Sequence, residues 1–286
     1  MKNDILNNKV IIVTGGSSGI GKAIVELLFD KGANVVNADI SVSRSRILKV
    51  YNDCRIKKLL DVNLDVRDDE SWKGLSHAVV NEFGKADVLI NCAGVVIPDS
   101  LIKESRNLAK DEIDINLMGP VKGTYEFLPL FLKQKCGHII NIASLAGIAP
   151  IPGESIYSAT KFGLRGFSMA MALELRGSGV KVTSFCPDSV VTPQLVIEAY
   201  HTNSGFSFSG KPLETEYVAD KILKVILHPK NEVSVTRFRG FQSRLFGNSN
   251  FIMNLTTPAI KMFGERNRKK FLKTLGLKEV KNACTG

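Results

Sequence analysis

The chain lacks any apolar run that approaches the roughly 20 residues of a membrane-spanning helix. Its first four residues are polar and lead directly into a strand-like segment, so we predict no signal peptide. Cysteine is scarce: the five cysteines are scattered, and no two have the C-x-x-C spacing of a zinc or redox motif. We therefore expect a soluble, cytoplasmic protein with reduced thiols, while peripheral contact with a membrane stays open.

Acidic residues are scarce at the C-terminal end. From Arg237 to Gly286, eleven Lys and Arg residues face two acids, whereas the rest of the chain is close to neutral despite an overall charge of +10. Apolar residues are interspersed with these bases, a pattern typical of basic amphipathic helices. This stretch could cap a substrate pocket or a subunit interface, touch an anionic membrane surface, or form a solvated basic end. Charge alone does not indicate nucleic acid, so we predict no nucleic-acid partner.

Short apolar runs alternate with helical patterns along most of the chain. Strand-like runs occupy residues 9–14, 34–39, 59–66, 86–91, 138–143, 181–185 and 232–237, and the third of them alternates as an edge strand would. Helical periodicity occupies residues 21–29, 68–83, 106–135, 156–176 and 214–227, although Pro120 and Pro129 argue against one straight helix at 106–135. This alternation predicts an α/β fold, a doubly wound Rossmann-type parallel sheet of about seven strands with helices on both faces. We assign it to residues 1–240, followed by a basic, helical extension in residues 241–286.

A glycine-rich turn follows the first predicted strand and opens the first helix. It reads Thr14-Gly15-Gly16-Ser17-Ser18-Gly19-Ile20-Gly21. Glycines allow positive φ and close backbone approach, and free N–H groups at a helix start favour a pyrophosphate. The spacing differs from the G-x-G-x-x-G fingerprint, so the turn alone is weak evidence. Its place after the first strand nevertheless predicts a dinucleotide-binding turn, with contacts from Gly15, Ser17, Ser18, Gly19, Ile20 and Gly21.

Asp39 ends the second predicted strand, where a carboxylate can bind the adenosine ribose hydroxyls of a dinucleotide. A 2′-phosphate would be repelled there, which favours NAD over NADP. Arg44 and Arg46 follow closely and could still reach such a phosphate, and Asp39 could also serve only as a turn or cap residue. We predict NAD as the cofactor, with NADP less favoured.

Tyr157 and Lys161 lie four residues apart, hence on one face of a predicted helix. A phenol has a pKa of about 10 and is a poor base at neutral pH, but a nearby ammonium group lowers that pKa. Alcohol oxidation or carbonyl reduction needs such a proton acceptor or donor beside the reacting oxygen. Ser144 follows the fifth predicted strand, at the edge where parallel α/β sheets bind ligands, so its hydroxyl could hold the same oxygen.

Together these motifs resemble the short-chain dehydrogenase/reductase family, from about Asn8 to Arg239. The resemblance also covers Asp65-Val66, Asn91-Cys92-Ala93-Gly94, Asn116 and the segment from Pro187 to Thr192. It implies that Tyr157 is the general acid/base. Lys161 would lower the pKa of Tyr157 and bind the nicotinamide ribose, Ser144 would orient the substrate oxygen, and Asn116 would hold a proton-relay water. The implied cofactor contacts are Asp65 and Val66 at the adenine, Asn91, Ala93 and Gly94 along the cofactor, and Val190 and Thr192 at the nicotinamide carboxamide.

Two positions depart from the family pattern. Cys92 stands where the family usually has a second Asn, so a structural hydrogen bond near the cofactor would be missing. Asp188 follows Pro187 where the family has Gly, which puts a carboxylate near the nicotinamide end of the site. That carboxylate could alter substrate choice or simply point away.

Apolar residues cluster where the family carries its substrate-covering loop, residues 194–212. They could line an apolar pocket or pack against the protein's own helices; they are Leu195, Val196, Ile197, Tyr200, Phe206 and Phe208, joined by Leu145, Ile148 and Ile151. The resemblance thus predicts an NAD(P)(H)-dependent oxidoreductase that interconverts a secondary alcohol and a ketone, on a hydrophobic or acyl/lipid-like substrate, as a homo-oligomer (dimer or tetramer). The alternative is a non-catalytic NAD(H)-binding regulatory protein on the same scaffold.

Overall fold

A computed structural model describes residues 5–43, 45–52, 55–98 and 106–277. The strands are β1 (Val10–Thr14), β2 (Asn34–Asp39), β3 (Arg46–Asn52), β4 (Arg55–Asn63), β5 (Val88–Asn91), β6 (Gly137–Ile142), β7 (Val180–Cys186) and β8 (Glu232–Ser234). The helices are α1 (Gly19–Asp30), α2 (Asp69–Phe83), α3 (Arg106–Ile113), α4 (Gly119–Gln134), α5 (Ser155–Glu174), α6 (Pro193–Ala199), α7 (Thr215–Leu227), α8 (Arg237–Gly247) and α9 (Asn250–Thr274). Arg44, Cys54 and Cys284 lie outside the described residues, as does the end of the predicted extension.

The strands form one sheet in the order β3-β4-β2-β1-β5-β6-β7-β8. Every neighbouring pair is parallel except β3 and β4, which form an antiparallel pair at one edge. The doubly wound α/β prediction is therefore confirmed, but β3 was not predicted. The run predicted at 59–66 overlaps β4, which lies beside the edge strand β3, so the prediction that it lies near an edge is confirmed.

Alternate residues of the central strands supply two separate cores, because successive side chains of a strand point to opposite faces. Ile11 and Val13 of β1 pack with Ile24 and Leu28 of α1 and with α7. On the other face Ile12 of β1 packs with residues of α2 and α4, among them Trp72, Phe127 and Phe131. Helices thus cover both faces, as predicted, and leave the carboxyl ends of the parallel strands for the site.

The helical region that begins at Arg106 is interrupted, as its prolines suggested. A π-helical turn, Asp114–Met118, separates α3 from α4, and Pro120 occupies the first turn of α4, where its missing N–H costs nothing. Pro129 lies inside α4. The π-helical turn carries Asn116, which is completely buried.

The C-terminal segment forms two helices, α8 and α9. The predicted boundary at 240/241 falls inside α8. Helix α9 packs on α6 and on the 3-10 helical segment Thr202–Phe208, and we call α6 together with that segment the lid. Across the described part of the chain, every helix is too short or too polar to cross a membrane.

Candidate active site

One cleft at the carboxyl ends of the strands collects most of the predicted site residues. The described residues that line it include the glycine turn, the end of β2, the segment after β5, the start of α5 and the lid. Among the predicted residues, those that line the cleft are Gly15, Ser18, Gly19, Ile20, Gly21, Asp39, Asp65, Val66, Ala93, Gly94, Ser144, Tyr157, Lys161, Val190 and Thr192.

The glycine turn is held tightly against the segment after β5. Gly15 has φ of +67°, and a Cβ built on it would lie 2.8 Å from the Cα of Ala93, so only glycine fits there. The Thr14 hydroxyl accepts hydrogen bonds from the backbone N–H groups of Cys92 and Ala93, both at 3.0 Å. At the start of α1, Ser18 makes no side-chain cap hydrogen bond, so the first N–H groups of the helix remain available to an anion.

Asp39 organises the end of β2 beside this turn. Its carboxylate accepts hydrogen bonds from the backbone N–H of Ser17 at 3.0 Å and from the backbone and hydroxyl of Ser41 at 2.9 and 2.8 Å. Asp39 therefore fixes the turn, as the cap alternative held, and it also lines the cleft. The same carboxylate thus holds the turn and forms part of the cleft wall.

Two described arginines in this region, Arg46 and Arg67, form ion pairs with acids. Arg46 pairs with Asp61 at 2.6 Å. Arg67, which the sequence reasoning missed, lines the cleft and binds Asp65 at 2.8 Å and Asp111 at 3.1 Å, and it lowers the pKa of Asp65. Because these guanidinium groups already face carboxylates, they favour a 2′-phosphate less than free ones would.

Tyr157, Lys161 and Ser144 converge in the cleft. Tyr157 and Lys161 lie one turn apart on α5, with the Lys161 Nζ 5.5 Å from the centre of the Tyr157 ring. Lys161 is buried and donates a hydrogen bond to the backbone oxygen of Ile142 at 3.0 Å. Ser144 caps a short 3-10 turn after β6, which holds its hydroxyl in hydrogen-bonding reach of Tyr157.

The electrostatics of this group differ from the sequence expectation. Burial raises the pKa of Tyr157 above its ordinary value, and the carboxylates of Glu198 and Glu154 raise it further, while the hydrogen bond from Ser144 lowers it. Burial also lowers the pKa of Lys161 to about 8. Burial therefore holds Tyr157 as a neutral phenol, the form that donates a proton, and the expectation that Lys161 lowers the pKa of Tyr157 stays a prediction.

Three predicted residues lie outside the cleft lining and make structural contacts. Ser17 lies 3.4 Å from the amide nitrogen of Asn37, and Asn91 donates to the Asn141 side chain at 2.8 Å. The Asn116 side chain holds the backbone of Val95 through two hydrogen bonds of 2.8 Å. The roles predicted for these three residues stay predictions.

The two departures from the family pattern have distinct outcomes. Burial raises the pKa of Cys92 to about 12, so the thiol beside the cleft stays protonated. Asp188 lines the cleft and is held by Arg239 of α8, whose Nε donates to it at 2.8 Å. Arg239 also donates to the Ser209 hydroxyl at 2.9 Å, so Asp188 helps to attach α8 to the end of the lid.

Most of the apolar residues predicted for a substrate pocket pack elsewhere. Ile151 and Leu195 line the cleft. By contrast, the Phe208 ring stacks against Phe271 of α9 with centroids 5.3 Å apart, and Phe206 faces Phe246 of α8 at 6.4 Å. The apolar pattern of this loop therefore reports mainly its packing against the C-terminal helices.

Three polar residues at the substrate end of the cleft escaped the sequence reasoning. They are Glu154, Glu198 and Ser207, all buried and all in the cleft lining. Glu154 stands three residues before Tyr157 in the sequence. Glu198 is an acid among the apolar residues of its loop, and this was the one sequence signal that pointed to it. Their proximity to each other depends on how the lid folds back over α5, which the sequence pattern does not encode.

The comparisons with known proteins agree with this geometry. The family model described as short chain dehydrogenase matches residues 9–200, more than half of the chain. The chain belongs to this family. It is 33% identical over 235 residues to an uncharacterized oxidoreductase of Staphylococcus aureus (strain USA300), covering 81% of this chain and 98% of that protein. An uncharacterized oxidoreductase of Staphylococcus epidermidis is 32% identical over 236 residues, covering 80% and 97%.

A solved structure supports the fold alone. The crystal structure of gox2181 superposes with a TM-score of 0.69 at 23% identity, covering 82% of this chain and 97% of that one. Members of the short-chain dehydrogenase family typically bind NAD or NADP. The residues here fit such a dinucleotide. The cleft contains the uncapped N–H groups at the start of α1, the glycines of the turn, which leave room for a pyrophosphate, and the carboxylate of Asp39.

Proposed function

We propose that the protein is an NAD(P)(H)-dependent oxidoreductase that interconverts a secondary alcohol and a ketone, with NAD preferred. The observation that carries this proposal is the convergence of Ser144, Tyr157 and Lys161 in the same cleft as the glycine turn and Asp39. A bound nicotinamide would supply the hydride acceptor or donor. The chain itself supplies the oxygen-binding hydroxyls and the proton.

In ketone reduction, the hydroxyls of Ser144 and Tyr157 would hold the substrate oxygen, and Tyr157 would donate its proton as negative charge develops there. The raised pKa of Tyr157 keeps that proton in place beforehand. Lys161, beside the same ring, would stabilise the phenolate left behind. In alcohol oxidation Tyr157 would give its own proton to the neutral amine of Lys161 and would then accept the proton of the carbinol oxygen as a phenolate.

Asn116 supports the predicted proton relay by its position. A Cβ built on Gly94 would lie 3.1 Å from the Asn116 Oδ1 and 3.5 Å from the Lys161 Nζ. Because Gly94 has no side chain, both atoms face one space, and a water there would connect Lys161 to the backbone near Val95. We keep this role for Asn116 as part of the proposal.

The direction of turnover should depend on pH through the Tyr157–Lys161 pair. Since burial lowers the pKa of Lys161 to about 8, Lys161 loses its proton near that pH while Tyr157 keeps its own. Oxidation needs the neutral amine of Lys161 to take up the proton that Tyr157 passes on, so its kcat/KM should rise towards a plateau above about pH 8. Reduction needs the ammonium form of Lys161 to stabilise the phenolate and return a proton to it, so its kcat/KM should fall above the same pH. Initial rates in both directions between about pH 6 and pH 10 would measure this.

Lys161→Arg provides the matched comparison for the pH profile. A guanidinium group stays protonated throughout this range, so the break near pH 8 should disappear or move upward. Burial also raises the pKa of Glu154 to about 8 and that of Glu198 to about 7, so these acids titrate nearby. A break that survives unchanged in Lys161→Arg would assign it to those acids and refute the proton account given for Lys161.

Asp39→Ala should weaken the preference for NAD over NADP. The substitution removes the charge that repels a 2′-phosphate and the acceptor for the ribose hydroxyls, so the ratio of kcat/KM values should shift by roughly ten-fold or more towards NADP. Ser41→Ala is the matched control, because it removes one hydrogen bond to Asp39 and keeps the charge. An equal shift in Ser41→Ala would mean that turn geometry, rather than charge, sets the preference.

The proposal predicts that the purified protein forms NADH from NAD and at least one member of a panel of secondary alcohols, measured by absorbance. The panel should emphasise compact apolar skeletons, because Ile151 and Leu195 line the cleft. A long acyl chain has less support, since Phe206 and Phe208 pack on the C-terminal helices. Tight NADH binding with no turnover across the panel would instead favour the non-catalytic alternative.

The predicted partners remain predictions. Apolar residues on the outer faces of α8 and α9 are exposed, namely Phe238, Phe241, Phe251, Leu255 and Met262. A second copy of the chain would cover them in the homo-oligomer that we predict, and an anionic membrane surface would do so in the alternative arrangement. Sedimentation of the full chain alone and with anionic vesicles distinguishes the two arrangements.

A further inference from the structure

Two buried carboxylates line the cleft that contains Tyr157. Glu154 precedes α5 and is 2% exposed, and Glu198 lies in the last turn of the lid helix α6 and is 7% exposed. Ser207 of the lid, also 7% exposed, donates its hydroxyl hydrogen to Glu154 at 3.1 Å. All three line the same cleft as Tyr157.

The hydrogen bonds within this group leave it short of donors. The Ser207 hydroxyl is within hydrogen-bonding reach of both carboxylates, yet it has one hydrogen to donate. The other donor to Glu198 is the side-chain amide of Gln194, at a long 3.4 Å. The two carboxylates thus share one hydroxyl and one distant amide, and their remaining lone pairs can accept hydrogen bonds from a molecule in the cleft.

No cation of the described chain compensates the pair. Among the described residues, Glu154 and Glu198 form no ion pair with a lysine, arginine or histidine. Burial raises the pKa of both carboxyls, and the charge of Glu198 raises that of Glu154 further, which is the expected response of uncompensated acids. By contrast, Asp188 in the same cleft is neutralised by Arg239.

The pair is close enough to the reacting centre to act on it. Glu198 and Glu154 are the first two charges that raise the pKa of Tyr157, so the two carboxylates stand within electrostatic reach of its hydroxyl. A substrate oxygen held by Tyr157 would therefore place a neighbouring substituent beside the pair. A metal ion fits this group less well, because among the described residues no set of three or more candidate ligands comes together.

We propose that Glu154 and Glu198 bind a protonated amine of the substrate, so that the alcohol or ketone is an amino alcohol or an amino ketone. An ammonium group donates three hydrogen bonds and one positive charge, which supplies both of the things that the pair lacks. Ile151 and Leu195 would contact the carbon skeleton between the two ends. This inference rests on the proposed function, since it names the substrate of the same site.

A matched substrate series tests the proposal on the unmodified protein. The series keeps one secondary carbinol and varies its neighbour: 1-amino-2-propanol carries a cation, 1,2-propanediol a hydroxyl, 2-butanol a methyl group and lactate an anion, with longer homologues of each. The kcat/KM with NAD should be highest for the amines, by roughly ten-fold or more over the alkanols, and lowest for the hydroxy acids. Turnover of alkanols or diols at least as efficient as that of amines would overturn the proposal and leave the proposed function standing. Failure of every alcohol would count against the proposed function itself.

Glu198→Gln and Glu154→Gln add a second readout. Each removes one negative charge and keeps the side-chain shape, so the amine-to-alkanol ratio of kcat/KM should fall by roughly ten-fold. Glu26→Gln is the control, because it changes net charge equally at an exposed site on α1. If the ratio fell as much in Glu26→Gln, the preference for amines would reflect the net charge of the whole protein and not this pair of carboxylates, which would overturn the assignment.

Discussion

Tyr157→Phe is expected to lower kcat for alcohol oxidation and for ketone reduction by about 10²- to 10⁴-fold, the usual contribution of a positioned acid/base. The substitution removes the hydroxyl and keeps the ring that lies beside Lys161. Binding of NADH should therefore change little, which fluorescence titration of the nucleotide would show. The loss should appear in both directions of the reaction, because the same proton is donated in one and accepted in the other.

Tyr125→Phe is the matched control for this prediction. Tyr125 lies on α4, is 76% exposed and does not line the cleft, so the same chemical change there should leave kcat as it is. If Tyr157→Phe kept turnover similar to that of Tyr125→Phe, the proton would have another source and the mechanism would be wrong.

Gly264→Ala should separate substrate turnover from nucleotide binding. Gly264 of α9 crosses the lid at Gly205, and a Cβ on Gly264 would overlap the Gly205 carbonyl oxygen. Because the obstacle is backbone, α9 or the lid must move, at a cost of about 1–3 kcal/mol of stability. The lid carries Glu198 and Ser207, so KM for the alcohol should rise by roughly ten-fold or more while NADH binding persists.

Other contacts also hold the lid against α9, and Gly264→Ala would disturb them. Arg268 is fully buried, donates to the backbone oxygen of Ala199 at the end of α6, and is held by both oxygens of Glu265 at 2.8 and 2.6 Å. Asn267 donates to the backbone oxygen of Phe208 at 3.0 Å. Phe208 and Leu272 share one apolar cluster with Leu195.

Gly166→Ala is the control for the general effect of replacing a glycine by alanine inside a helix. Gly166 lies in α5, where an added Cβ meets nothing within 4 Å. Alanine there should stabilise the protein by about 0.5–1 kcal/mol, as expected for Gly→Ala inside a helix. Thermal unfolding and steady-state kinetics of both variants would measure this. Equal stabilisation in Gly264→Ala, with unchanged KM, would show that α9 does not position the lid.

The sequence predicted the centre of the fold because the central strands are buried on both faces. Runs such as Val10–Thr14 and Val88–Asn91 are continuously apolar, and this pattern has few readings other than a parallel strand. The strand β3 gave no such signal, since Arg46, Lys49 and Asn52 interrupt it. It exists because it pairs with β4 in a hairpin, a tertiary fact that composition does not reveal.

The grouping of the proposed catalytic residues was predictable for a related reason. Carboxyl ends of parallel strands share one edge of the sheet, so Asp39 and Ser144 were expected at that edge, and both line the cleft together with Tyr157. The substrate end was not predictable in this way. Glu154 and Ser207 are 53 residues apart in sequence, and their contact depends on the lid, whose path is set by α9.

For the apolar loop at residues 194–212, the hydrophobic pattern did not predict which surface the side chains contact. Leu195 and Phe208 of this loop are buried whereas Ile197 is exposed, and nothing in the sequence distinguished burial against a substrate from burial against α8 and α9. The basic extension was open to three readings for the same reason. Its inner face contacts the lid through Gly264, Asn267 and Arg268, and the three alternatives for its role stay predictions.

Transfer of a labelled hydrogen tests the central claim most directly. The protein is incubated with NAD and secondary alcohols carrying deuterium at the carbinol carbon, the amino alcohols among them, and the nucleotide is analysed by mass spectrometry. The account predicts reduced nucleotide that contains the deuterium, with the matching ketone formed in equal amount, and loss of both in Tyr157→Phe. Ketone without labelled nucleotide, or label transfer that persists undiminished in Tyr157→Phe, would contradict it.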